Sequence, residues 1–67
     1  WRKTDPAAKA RAAEVVKQLT DSIESYEKIA AKSEAAGNAK KASEARESAA
    51  ARKVWLAEAE KGLAEFS

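Results

Sequence analysis

Ala35-Ala36-Gly37-Asn38-Ala39 lies near the midpoint of the chain and carries its clearest helix-breaking signal. A glycine just past the last helical turn adopts the left-handed conformation that ends a helix, with no Cβ to penalise it. An asparagine suits the N-cap of a following helix, because its side-chain oxygen accepts a hydrogen bond from a free backbone N–H. Gly37-Asn38 between two alanine-rich runs therefore reads as a stop followed by a start. Working outward, nothing breaks a helix between Ala7 and Ala36 or between Ala39 and Lys61; the only proline is Pro6 and the only other glycine is Gly62. The expected architecture is all-α: an antiparallel two-helix hairpin spanning 1–67, with helices over about 5–36 and 39–66 and the turn at 37–38. The competing reading is one unbroken helix with a weak point at Gly37.

Upstream, Trp1-Arg2-Lys3-Thr4 forms a short basic lead. Asp5-Pro6 then starts the first helix: aspartate caps, and proline at the first helical position has a preset φ and no N–H to leave unpaired. From there the less polar residues fall at alternating three- and four-residue steps, through Ala12, Val16, Leu19, Ile23, Tyr26, Ala30 and Ser33. That spacing is the seam of a coiled coil or bundle helix. The second helix repeats it through Ala42, Ala45, Ala49, Arg52, Leu56, Ala59, Leu63 and Phe66, with Arg52 the one interruption. Gly62 lies one residue off this seam and costs about 1 kcal/mol relative to alanine, which predicts fraying of the last turn.

Folding at the turn pairs Ser33 with Ala42, Ala30 with Ala45, Tyr26 with Ala49, Ile23 with Arg52, Leu19 with Leu56, Val16 with Ala59 and Ala12 with Leu63. Several of these oppose large to small, as interdigitating layers require. Opposite Ile23, Arg52 is expected to lay its methylene stem on the seam and keep its guanidinium in water. Two independent periodicities agree across one turn, and this supports the hairpin.

The pairing leaves a remainder. Val15 and Ile29 (with Ala8) make a second stripe beside the first seam, and Val54 and Trp55 lie outside the second. A two-helix hairpin buries one stripe per helix and cannot cover these residues. A seam rich in alanine also buries too little to be comfortable alone. The expected occupant is protein: a second copy forming a four-helix bundle, or another helical segment from a longer helical domain. A chain that begins at Trp1 and lacks methionine reads as a fragment or a processed product. The opposing reading leaves Val54 and Trp55 as scattered surface residues, which are common.

Composition narrows the chemistry. The 67 residues include 18 alanines, with 13 basic and 11 acidic side chains giving a net charge of +2. That is the composition of long helices with mixed, solvated charge faces, not of a strongly basic protein. Histidine and cysteine are absent, which removes the usual base near neutral pH and any thiolate nucleophile, metal site or disulfide. Ser22, Ser25, Ser43 and Ser48 have no base at a recognisable spacing. No phosphate-binding loop or metal-ligand spacing occurs. An enzyme, a cofactor site and a small-molecule substrate are therefore not expected. No apolar run is long enough to span a bilayer, and the alanine stripes are weak for binding a membrane surface. The sequence leaves localisation open.

Nucleic acid is the alternative partner. Arg2 and Lys3 form a basic arm, and Lys40 and Lys41 stand in the first turn of the second helix, where the helix dipole disfavours cations and free N–H groups attract anions. Against this, acidic residues are interleaved nearly everywhere, and the aromatics form no stacking platform. The favoured function is a non-enzymatic interaction or oligomerisation module, with Val15, Ile29, Val54 and Trp55 as its interface.

Overall fold

The computed structural model describes residues 5–66, as two α-helices joined by a three-residue connection. Helix α1 runs over Pro6–Ala35 and α2 over Ala39–Ala64, and the two pack along their length as a hairpin. Trp1, Arg2, Lys3, Thr4 and Ser67 lie outside the described residues.

The ends form for the local reasons expected. Asp5 accepts a hydrogen bond at 3.0 Å from the Ala7 N–H, ahead of Pro6. At the other end of α1, Gly37 adopts φ of 78°, the one positive φ among the described residues. This lets the Asn38 N–H reach back to the Ser33 carbonyl at 2.8 Å while the Gly37 N–H bonds the Glu34 carbonyl at 3.0 Å. The pair of bonds is a Schellman motif, which satisfies carbonyls that the end of the helix would otherwise strand. Asn38 then turns to the next helix: its Oδ1 accepts from the Lys41 N–H at 3.1 Å, and its carbonyl takes the first α2 bond from Ala42. One residue closes α1 and opens α2. At the far end α2 passes through Gly62 and ends at Ala64, two residues short of the expected bound.

Every expected seam position is removed from solvent at least in part. Ile23, Ala30, Ser33, Ala42, Ala45 and Ala49 are buried, and all lie toward the turn. Small side chains there let the two backbones close together. Toward the open end the larger residues Val16, Leu19, Leu56, Leu63 and Phe66 are only half-buried. Ile23 is thus the sole large side chain buried among the described residues.

The result is a rod with extents of 51 × 15 × 10 Å. Its radius of gyration of 15.3 Å exceeds the roughly 11 Å of a compact domain of this length.

Candidate functional site

The two long sides of the hairpin, flanking the seam, differ in chemistry. On one side Glu34 and Arg46 form an ion pair across the helices, and Glu27 and Lys53 form another at 3.3 Å. These four line a shallow groove floored by Ala30, Ala31, Ala49 and Ala50. The paired side chains are more than half exposed, so each pair is worth about 0–1 kcal/mol. Their main effect is to cover the alanine floor with charge.

The other side is built from rows with seven-residue spacing: Ala8, Val15, Ser22 and Ile29 on α1, and Lys41, Ser48, Trp55 and Gly62 on α2. Ile29, Lys41, Glu44 and Ser48 share one shallow groove there, beside Tyr26 and Ala45. Val15 is 46% exposed, Ile29 39% and Trp55 55%. The stripe read from sequence beside the first seam is therefore uncovered, and Trp55 stands on the same side of the hairpin.

Val54 is not part of that surface. It is 64% exposed, and its α2 neighbours Ala50, Ala51, Lys53, Ala57 and Glu58 are exposed as well. Successive helical residues turn by about 100°, so a residue next to Trp55 in sequence points well away from it. Val54 faces outward, away from α1. The heptad rows put Val15, Ile29 and Trp55 on one side of the hairpin, spread along its length, and leave Val54 apart.

Sequence reasoning missed one cluster. The Arg52 guanidinium lies over the Tyr26 ring, 4.5 Å from its centroid, and 5.6 Å from that of Trp55. It also donates to the Ser48 carbonyl at 3.2 Å. Arg52 was expected to keep its head in water; instead the guanidinium stacks over an aromatic ring one turn nearer the loop than Ile23. A cation over an aromatic face is worth about 0.5–1 kcal/mol at an exposed site. This contact ties Trp55 to the seam without covering it. The three-residue step from Arg52 to Trp55 was the available sequence signal, since residues so spaced share a helix face.

The basic candidates divide. Arg2 and Lys3 lie outside the described residues, so their role in an anion site has no structural counterpart. Lys40 and Lys41 are exposed at the start of α2, but Asn38 already satisfies the Lys41 N–H. Among the described residues, no helix is long and apolar enough to cross a membrane.

The accessible surface totals 5008 Å², against roughly 4,100 Å² for a compact monomer of this mass. A thin rod with one apolar side carries surface that a single hairpin cannot bury. Comparison with protein-family models, with curated proteins and with solved structures returns no match.

Proposed function

We propose that the chain is a non-enzymatic protein-interaction module, which buries the apolar side of its hairpin against another helix pair. The observation that carries this reading is that three of the four large exposed hydrophobic side chains share one side, Val54 being the exception. Val15, Ile29 and Trp55 share one side of the hairpin, while the other side is covered by ion pairs. Scattered apolar residues on a surface need no explanation, but an apolar stripe confined to one side does. Trp55 is the anchor, because large aromatics dominate the energetics of interfaces. Nucleic acid is the alternative: of its basic candidates Lys40 and Lys41 stand exposed at the start of α2, and Arg2 and Lys3 lie outside the described residues.

The test is molar mass against concentration by sedimentation, with far-UV circular dichroism on the same samples, for the wild type and Trp55→Ala. The expected result is association that Trp55→Ala weakens by about a thousandfold, as a hot-spot loss of roughly 2 kcal/mol in each copy would give. Helix content of the dissociated variant should remain mostly intact. Unfolding of Trp55→Ala, in a protein that stays monomeric at every concentration, would make Trp55 intramolecular core and end the reading. A tight interaction with RNA or DNA that collapses with added salt would favour the alternative instead.

A further inference from the structure

The apolar side has edges as well as a centre, and the two edges carry opposite charge. Outside Val15, Ser22 and Ile29, the next seven-residue row on α1 is Arg11, Gln18, Ser25 and Lys32, which holds two cations and no acid. The matching row on α2 is Glu44, Ala51, Glu58 and Glu65, which holds three acids and no cation. All eight are exposed. On the opposite side of the hairpin Glu34–Arg46 and Glu27–Lys53 are matched within the chain, while Glu60 on the same α2 row is exposed; on the acidic edge Glu58 lies 3.8 Å from Lys61 of its own helix. Resting on the interaction reading above, we propose that the occupant of the apolar side is a second copy of this chain, docked about a twofold axis parallel to the helices so that α1 of each lies on α2 of the other.

Only two twofold axes bring this side face to face with itself. An axis across the helices sets α1 on α1 and α2 on α2, so that Arg11 and Lys32 meet their own kind and the glutamates meet theirs. Like charges set against each other across an interface are destabilising and suppress that pairing. An axis along the helices preserves height and exchanges the helices, so a basic edge meets an acidic one on both margins.

The heights also agree. Within one hairpin Arg52 reaches Tyr26, Lys53 reaches Glu27 and Arg46 reaches Glu34. At corresponding heights, Lys32 meets Glu44 of the second copy, Ser25 meets Ala51, Gln18 meets Glu58 and Arg11 meets Glu65. The product is a four-helix bundle in which every neighbouring pair of helices is antiparallel, a topology in which short loops suffice. Its centre holds Val15, Ile29, Trp55 and the small residues Ala8, Ser22, Ser48 and Gly62, with Lys41 at the turn end of the α2 row beside Glu44. Its rim is charged, as interface rims usually are. Size agrees too: the 51 × 15 Å face of the rod projects about 770 Å², close to the ~800 Å² per partner of a standard interface.

Single cysteines test the arrangement, because the chain has none of its own. Ser25→Cys and Ala51→Cys change exposed positions, and circular dichroism checks that both remain helical. Under mild oxidation, neither variant alone should form a disulfide-linked dimer, while an equimolar mixture should cross-link Ser25→Cys to Ala51→Cys. Efficient cross-linking of Ser25→Cys to itself would overturn the proposed axis. No cross-link in any combination, with wild type a helical monomer at all concentrations, would overturn the second copy as occupant. In that case Trp55→Ala separates the two failures. A variant that stays helical leaves the apolar side open to a different partner, and one that unfolds removes the interaction reading as well.

Discussion

Glu34 and Arg46 close one side of the hairpin, with Glu27 and Lys53 a little further along, whereas the other side holds Ile29 beside Ser48 and Val15 on the same row as Ser22. Both sides flank the same seam and rest on the same backbone geometry. One has four of its charges matched inside the chain. The other shows apolar centres bordered by charges, and among the described residues Arg11, Lys32 and Glu44 have no ion-pair partner within the chain. Surface ion pairs add little stability, so the difference matters mainly for where the hairpin can be approached. A partner on the paired side would have to desolvate four charges, and burying ions costs more than exposed pairs return. A partner on the apolar side gains hydrophobic burial at about 25 cal/mol per Å².

The contrast can be broken or sharpened by substitution. Beyond removal of Trp55, the largest effect is expected from Lys32→Glu, which turns one basic edge acidic opposite Glu44. Self-association measured by sedimentation should weaken about tenfold, from two symmetry-related contacts, and mixing with Glu44→Lys should restore it. An unchanged dimer would show that the edges do not choose the axis.

Gly62→Ala comes next. Nothing lies within 4 Å of where its Cβ would stand, so the folded hairpin should gain about 1 kcal/mol in chemical denaturation from helix propensity alone. If the second copy packs closely on Gly62, the same change should weaken association while it stabilises the monomer. Gain in both would place that end of the apolar side outside the interface.

The smallest effect should come from Glu27→Gln on the paired side. Its loss of the Lys53 contact is expected to cost about 0.2–1 kcal/mol at low salt, to fade as salt is raised, and to leave association unchanged. A large loss of dimer in Glu27→Gln would mean that the assignment of the two sides is reversed.

Much of this was legible in the sequence because it rests on local rules. Gly37 and Asn38 carry the turn by backbone sterics and capping, and the helix bounds follow to within a residue or two. The seam from Ala12 to Ser33 and from Ala42 to Phe66 follows from period alone. So does the exposure of Val15, Ile29, Val54 and Trp55, which are the leftovers of that period. What escaped was the reach of long side chains across the seam. Spacing says which residues face the other helix but not where a long flexible side chain ends, and Arg52, leaning toward the N-terminus of its helix, sets its guanidinium over Tyr26. The Glu34–Arg46 and Glu27–Lys53 pairs, which distinguish the two sides, are likewise made by long side chains flanking the seam. Val54 and Trp55 both lie outside the second seam, but lying outside a seam does not say on which side, and adjacent residues on a helix diverge in space.

The brevity of the connection at Ala36-Gly37-Asn38 has a consequence for affinity within the chain. A seam built largely of alanine offers few favourable contacts to two free helices, which would also lose translational and rotational freedom worth roughly 4–15 kcal/mol. A short tether holds each helix at an effective concentration on the order of millimolar with respect to the other, an advantage of about 4 kcal/mol over two peptides at micromolar concentration. The hairpin can then use small side chains where separate helices would need leucines. Severing the connection at Gly37 should therefore leave two peptides of low helicity at micromolar concentration, with helicity returning as both are raised toward the millimolar range. Strong helicity at micromolar concentration would mean that the seam needs no tether.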